Sequence, residues 1–159
     1  MKHIDLSITI GYCQPQELSS EEQELIEKAK EATRNSYSPY SKFAVGAALR
    51  LKDGTIVIGA NQENAAFPSG LCAERTAIFA AQAQHPEQPI TTLAIAARNA
   101  SGFMPQPIVP CGSCRQVMTE IEDRYKQPVR ILLYGTEGVY VVKSVKDILP
   151  LSFIGDSMK

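Results

Sequence analysis

The sequence predicts an α/β fold in which helices pack against a central mixed five-stranded sheet. Two observations lead to this prediction. Some segments have the apolar pattern of strands, others carry apolar residues at helical spacing, and the two kinds alternate along the chain. The chain has 159 residues, the length of one domain with one core. We therefore expect a single layered α/β domain over residues 1–159.

The first half of the chain contains one predicted helix and one predicted hairpin. In the stretch Ser19-Ser20-Glu21-Glu22-Gln23, a serine is followed three residues later by Glu or Gln, the capping-box pattern, which opens a helix over residues 19–35. Pro39 lies just beyond, and proline disfavours helical backbone in the residue before it. Residues 43–51 and 55–59 are strand-like and flank Asp53-Gly54, a pair typical of tight turns. These two strands are therefore predicted to be antiparallel.

The second half alternates strands with helices. Helices are predicted over 72–84 and 111–125, and strands over 91–97, 129–134 and 139–142. The segment between residues 99 and 110 holds three prolines and one glycine, and we expect it to be a loop. Because a helix joins the first two of these strands, they are predicted to be parallel. A four-residue turn indicates that the last strand returns antiparallel.

A further strand is predicted over residues 2–10, before the first helix. Ile4, Leu6, Ile8 and Ile10 alternate with polar residues, whereas a signal peptide would have a continuous apolar stretch. No apolar run approaches the roughly 18 residues that cross a bilayer. We therefore expect a cytoplasmic protein with no membrane partner, in which the cysteines are reduced.

The composition excludes several classes of protein. Apolar residues make up 44% and charged residues 21%, so disordered, collagen-like and disulfide-scaffold chains are excluded. Sixteen basic and seventeen acidic residues give a formal charge of −1. A protein that grips a nucleic-acid backbone usually has a basic excess. We expect no nucleic-acid partner.

Three cysteines form a candidate metal site. Cys111 and Cys114 lie one turn apart at the start of a predicted helix, and Cys72 opens the other helix. Helix N-termini favour the thiolates that zinc requires. Structural zinc sites use four protein ligands, whereas catalytic sites use three and a water. The count indicates a catalytic site. The alternatives are a redox pair, or structural zinc with a fourth ligand from Cys13, His3 or His85.

Two charged residues follow Cys72 directly. Glu74 lies in the same helical turn, near enough to exchange a proton with a metal-bound water without being a ligand. Three thiolates on a divalent ion leave a net negative charge, so a cation beside the sulfurs is expected. Arg75 is the preferred candidate, and Arg115 is the alternative. By residue type alone, without the neighbouring cysteine, Glu74 would only interact favourably with the helix dipole and Arg75 would be a solvated side chain.

These motifs resemble a known family. Cys72-Ala73-Glu74-Arg75 and the stretch 110–117 are similar to the zinc-dependent cytidine deaminases of the small homotetrameric type. Further similar stretches are 37–49, 61–65 and 149–153. The resemblance implies a three-layer α/β/α fold, a core over about 18–153 with residues 1–15 as an N-terminal strand extension, and a homotetramer with shared active sites.

The resemblance also implies an activity, the hydrolytic deamination of cytidine and deoxycytidine in pyrimidine salvage. It implies one Zn²⁺ per subunit, held by Cys72, Cys111 and Cys114, whose hydroxide attacks C4 of the cytosine ring. Glu74 would carry the proton to N3 and then to the leaving amine. Arg75 would compensate the charge of the sulfurs.

Five residues are implied to bind the nucleoside. Asn61 and Glu63 match a ribose-binding pair, Phe43 an aromatic against the nucleoside, and the backbone of Ala73 the contact to the pyrimidine edge. Phe153 would reach into a neighbouring subunit's site. An amide and a carboxylate offer the donors and acceptors that hydroxyls need, and the carboxylate would repel a phosphate. By residue type alone, Phe43 and Phe153 could instead serve packing.

Three other functions stay open on the sequence alone. The chain could deaminate another aminopyrimidine such as blasticidin S, edit polynucleotides, or be a zinc-stabilised binding module without activity. The pair Asn61 and Glu63 argues against a substrate that is not a nucleoside. The lack of a basic stripe argues against polynucleotide editing, and Glu74 argues against an inactive binding module.

Overall fold

The computed structural model describes all 159 residues and contains a seven-stranded sheet and three α-helices. The strands are β1 Gly11–Cys13, β2 Ala44–Leu51, β3 Ile56–Ala60, β4 Ile90–Asn99, β5 Gly102–Phe103, β6 Arg130–Gly135 and β7 Gly138–Val142. The helices are α1 Ser20–Ala32, α2 Ala73–Gln84 and α3 Gly112–Tyr125. None of the helices has the length and apolar character that a bilayer crossing requires.

The sheet is mixed, and its order is β1-β7-β6-β4-β2-β3, with β5 paired to β4. The hairpin β2–β3 is antiparallel, β4 and β6 are parallel, and β6–β7 is antiparallel. The five predicted central strands and all three predicted directions are thus confirmed. The short strand β5 lies within the segment that was predicted to be entirely loop, and it folds back antiparallel on the end of β4.

The helices lie on both faces of the sheet, as a three-layer α/β/α fold requires. On one face, Leu25, Ile26 and Ala29 of α1 pack against small and apolar residues of β2, β4 and β6. On the other face, α2 and α3 cover a larger core that includes Ile78 and Met118. This second face positions the site, because α2 and α3 both begin there with cysteine as the N-cap residue.

Gly59 explains why α2 can approach the sheet so closely. A Cβ atom at this position of β3 would lie 2.5 Å from the backbone nitrogen of Ala77 and 2.6 Å from the carbonyl oxygen of Ala73. Only a residue without a side chain fits between the strand and the helix backbone. The absence of a side chain at residue 59 therefore sets the position of the first turn of α2.

The N-terminal extension differs from the prediction. Residues 1–10 have no regular secondary structure, and the strand of this region is β1, further along the chain. Gly11 pairs with Val141 of β7, so Ile10 lies level with Val142, the last residue of that strand. Residues before Ile10 extend beyond the sheet and have no strand to pair with. Ile4 is accordingly 84% exposed.

Candidate active site

The structure brings the three cysteines of the candidate metal site together. The Sγ atom of Cys111 lies 3.8 Å from that of Cys72 and 3.5 Å from that of Cys114. All three sulfur atoms lie within 4.8 Å of one another. The N-termini of α2 and α3 meet here, so residues 39 positions apart in sequence become neighbours.

The spacing of the sulfurs fits a zinc ion. Tetrahedral coordination with zinc–sulfur bonds of ~2.3 Å places the sulfur atoms roughly 3.8 Å apart. Only these three residues contribute donor atoms to the group, so Cys13, His3 and His85 do not complete a four-ligand structural site. A three-ligand set leaves one coordination position for water or substrate. All four cysteines of the chain are free thiols.

Arg75 supplies the positive charge beside the sulfurs. Its Nη2 atom lies 3.7 Å from the Sγ atom of Cys72, and its Nε atom is buried without a hydrogen-bond partner. Hydrogen bonding from the Cys114 thiol, assisted by Arg75, lowers the pKa of Cys72 to about 5. Arg115 instead donates to the carbonyl oxygens of Pro110 and Ile148, which ties the start of α3 to a later loop.

Glu74 is buried next to the sulfur atoms. It lies in the first turn of α2 and is only 5% exposed, although it carries a carboxyl group. Burial raises its pKa to about 6, and the charge of Cys72 acts in the same direction. Glutamates are rarely buried. A buried carboxyl group beside three cysteines, and not itself one of the candidate metal ligands, is typical of a functional position.

A cavity of about 410 Å³ adjoins the metal site. Cys72 and Arg75 belong to its lining, and so do Asn61 and Glu63. The further lining residues are Tyr40, Ser41, Gln62, Asn64, Phe67, Gly70 and Leu71. A ligand in this cavity would contact both Cys72 and the pair Asn61 and Glu63.

Asn61 and Glu63 are held by the loop that precedes β2. The Nδ2 atom of Asn61 donates to the carbonyl oxygen of Phe43 at 2.9 Å, and its Oδ1 atom accepts from the Val45 amide at 2.9 Å. Glu63 accepts from the Tyr40 amide at 2.9 Å and from the Ser41 hydroxyl. The Ser41 hydrogen bond is the main cause of the lowered pKa of Glu63.

Three residues implied to bind substrate lie outside the cavity lining. Phe43 is half-buried and contributes its carbonyl oxygen to Asn61. Ala73 is fully buried at the start of α2. Phe153 is 59% exposed, and its carbonyl oxygen accepts from the Gln116 side chain. The structure therefore places Asn61 and Glu63 in the cavity lining and Ala73 directly beside Cys72, whereas Phe43 and Phe153 belong to neither.

Sequence reasoning assigned no role to two aromatic residues of the cavity. Tyr40 and Phe67 form an edge-to-face pair with ring centroids 5.5 Å apart. Tyr40 lies in a turn and Phe67 begins a short 3-10 helix, and no periodic pattern marks either residue. The only signal in the sequence is that each is a large aromatic side chain beside a proline, which places it in a turn rather than in the core.

Comparison with known proteins agrees with this geometry. The family model described as the cytidine and deoxycytidylate deaminase zinc-binding region matches residues 19–127. Cytidine deaminase of Halalkalibacterium halodurans is 38% identical over 136 residues, which cover 86% of this chain and 96% of the relative. That of Sporosarcina psychrophila is 45% identical over 131 residues, or 82% and 90% of the two chains.

A solved structure has the same fold. The cytidine deaminase of Burkholderia pseudomallei superposes with a TM-score of 0.71 at 41% identity, covering 82% of this chain and 97% of that one. The family match extends over more than half of the chain and includes all three cysteines. The chain belongs to the cytidine and deoxycytidylate deaminase zinc-binding family.

Proposed function

We propose that the chain is a zinc-dependent enzyme that hydrolyses cytidine and deoxycytidine to uridine and deoxyuridine and releases ammonia, a reaction of pyrimidine salvage. The observation that carries this proposal is the placement of a buried glutamate, Glu74, beside three thiols that have no fourth protein ligand. The names of the homologous proteins support the choice of cytidine as the substrate. Cys72, Cys111 and Cys114 would hold one Zn²⁺ per chain.

The chemistry divides between the metal and the protein. Zinc, when bound, supplies Lewis-acid chemistry that makes water acidic enough to attack at neutral pH. The Glu74 carboxylate would accept one proton of the attacking water at a side-chain oxygen and deliver it to N3 of the ring. It would then take the remaining proton from the new hydroxyl on C4 and pass it to the amine, which leaves as ammonia. Because Glu74 is buried, little bulk water competes for that proton. The new bond is C4–O, and the broken bond is C4–N.

The remaining site residues bind the substrate and tune the charge. Asn61 and Glu63 would hydrogen-bond the sugar hydroxyls, since both line the cavity that adjoins the sulfur group. Phe43 would lie against the nucleoside, and the Ala73 backbone would meet the pyrimidine edge. Arg75 would offset the negative charge of three thiolates on a divalent ion, a role that its position beside Cys72 supports.

We further propose that the chain forms a homotetramer in which Phe153 completes a neighbouring subunit's site. Two observations support this proposal: Phe153 is outside the cavity of its own chain, and Leu151 nearby is 88% exposed. Light scattering of the purified protein should give four times the chain mass. Phe153→Ala should raise the KM for cytidine, whereas Met158→Ala, another exposed apolar residue of the tail, should not.

We also propose a domain organisation and a cellular location for the chain. Residues 18–153 would form the deaminase domain and residues 1–15 an extension, because the family match begins at residue 19 and residues 1–10 have no regular structure. A reducing cytoplasm would keep the thiols available for zinc.

The test of this function is a direct assay. Zinc-replete protein is mixed with cytidine and the ultraviolet spectrum is followed, with a chelator-treated sample as the control. We expect conversion to uridine that the chelator abolishes and added zinc restores. Cys13→Ser is the matched cysteine control and should keep full zinc content. A zinc-loaded protein that leaves cytidine and deoxycytidine unchanged would contradict the proposal.

A further inference from the structure

We infer that Ser41 is a positioning residue for sugar recognition: its hydroxyl fixes the direction in which Glu63 presents its carboxylate, and Ser36 does the same for the amide of Asn61. This inference rests on the proposed function and deepens it. The hydrogen bonds of the loop over residues 36–45, which precedes and enters β2, support it.

Three donors from two consecutive residues hold the carboxylate of Glu63. The Tyr40 amide donates to Oε2 at 2.9 Å, and the Ser41 amide donates to the same oxygen at 3.2 Å. The Ser41 hydroxyl donates to Oε1. A carboxylate has about four lone-pair positions, so these donors leave limited and well-defined directions for a ligand hydroxyl.

Ser41 has no hydroxyl donor left for the substrate. Its single hydroxyl hydrogen is directed to Glu63, and its oxygen accepts from the Phe43 amide at 3.1 Å. The side chain lines the cavity, yet its only donor and one of its two acceptor positions are used within the protein. Its main contribution to binding is therefore the orientation of Glu63.

The turn that carries Ser41 has an unusual backbone. Lys42 has a φ of 56°, in the left-handed region that non-glycine residues rarely adopt. The Lys42 amide donates to the carbonyl oxygen of Ser38 at 3.0 Å, which closes the turn. Within this turn, the amides of Tyr40 and Ser41 both donate to Glu63. The strained turn and the carboxylate thus hold each other in place.

Asn61 is oriented in the same way. Its Oδ1 atom accepts from the Ser36 hydroxyl at 2.5 Å and from the Val45 amide at 2.9 Å, so the carbonyl oxygen is fully used. One of the two Nδ2 hydrogens goes to the Phe43 carbonyl oxygen. One N–H remains for a ligand. The pair therefore offers one donor and the free lone pairs of a carboxylate, which one sugar hydroxyl can satisfy by accepting from Asn61 and donating to Glu63.

The experiment compares two nucleosides in two serine variants. For Ser41→Ala we expect the KM for cytidine to rise about tenfold, the lower bound for a lost hydrogen bond to a charged group, with kcat nearly unchanged. For 2′,3′-dideoxycytidine, which lacks both hydroxyls, the variant should behave like the wild type. Ser36→Ala should give the same pattern more weakly, because Asn61 keeps its bond from Val45.

Two further variants separate positioning from general damage near the cavity. Ser69 is exposed, lies outside the cavity lining and makes no side-chain hydrogen bond, so Ser69→Ala should match the wild type on both nucleosides. Ser41→Thr keeps the hydroxyl and should recover most of the loss. Equal losses on cytidine and dideoxycytidine, or no loss on either, would overturn the inference.

A binding measurement distinguishes this inference from the proposed activity. Calorimetric titration of zinc-loaded Glu74→Gln with each nucleoside, with and without Ser41→Ala, gives the same comparison without turnover. A wild type that binds cytidine but does not deaminate it would contradict the proposed function alone. If Ser41→Ala weakens dideoxycytidine as much as cytidine in this titration, the positioning role is wrong.

Discussion

Glu122 is a buried glutamate outside the metal site, and its removal tests the packing that holds α3. It is 6% exposed and accepts three hydrogen bonds: from the Val129 amide at 2.8 Å, the Val145 amide at 3.0 Å and the Ser144 hydroxyl at 2.7 Å. One carboxylate thus joins the end of α3 to the residue before β6 and to the loop after β7.

The cost of Glu122→Ala follows from these contacts. The substitution leaves two backbone amides without partners in buried surroundings, and each unsatisfied donor costs about 1–3 kcal/mol. We therefore expect the free energy of unfolding to fall by roughly 2–6 kcal/mol. At about 2–4 °C per kcal/mol for a domain of this size, the melting temperature should drop by at least ~4 °C. Glu122→Gln retains one acceptor oxygen and should cost only about 1 kcal/mol.

Thermal unfolding of the zinc-loaded protein, followed by circular dichroism, measures this loss at one fixed protein concentration. The matched control is Glu120→Ala, an exposed residue on the same helix, which should change stability by less than about 0.5 kcal/mol. Glu122 lies eight residues after Cys114, about 12 Å along the helix, so zinc content at low temperature should be unchanged. If Glu122→Ala has the same melting temperature as Glu120→Ala, the hydrogen bonds of Glu122 do not stabilise the fold as argued.

Three further changes test the site and the fold. Arg75→Ala should reduce zinc affinity or kcat/KM about 10–100-fold in a zinc titration and the cytidine assay, because the charge beside Cys72 is lost. If both zinc affinity and kcat/KM stay at the wild-type values, Arg75 does not compensate the charge of the sulfurs. Gly59→Ala should destabilise the fold by about 1–3 kcal/mol in denaturant unfolding, since its Cβ would lie 2.5 Å from the Ala77 nitrogen, whereas Gly155→Ala meets nothing and should be neutral. Deleting residues 1–10 should leave the melting temperature within about 1 °C, because the segment is exposed and has no regular secondary structure. A large fall in the melting temperature would mean that the segment makes a contact that the single chain does not contain.

Local signals in the sequence were sufficient where local physics decides. The capping box at Ser19 and Glu22 forms as predicted at the start of α1. Cys72 and Cys111 cap α2 and α3, as their helix starts indicated, and this brings the sulfurs together. The hairpin at Asp53-Gly54 also formed, and Gly54 adopts a positive φ of 91°.

The sequence was insufficient where a distant partner decides. The alternation from Ile4 to Ile10 indicated a strand, but β7 ends level with Ile10 and offers nothing to pair with. Likewise, no pattern in the sequence indicates that Ser36 and Ser41 would use Asn61 and Glu63 as hydrogen-bond partners. Those contacts depend on how the loop before β2 folds against the segment after β3.

We propose that Glu74 transfers protons at a zinc site held by three cysteines. The rate of cytidine deamination by Glu74→Gln tests this role, with the zinc content of the same sample determined in parallel. Because general acid–base catalysis contributes about 10²–10⁴-fold, we expect a rate loss of that size with one zinc per chain retained. A variant that keeps both its zinc and the full wild-type rate would show that Glu74 is not the proton-transfer residue.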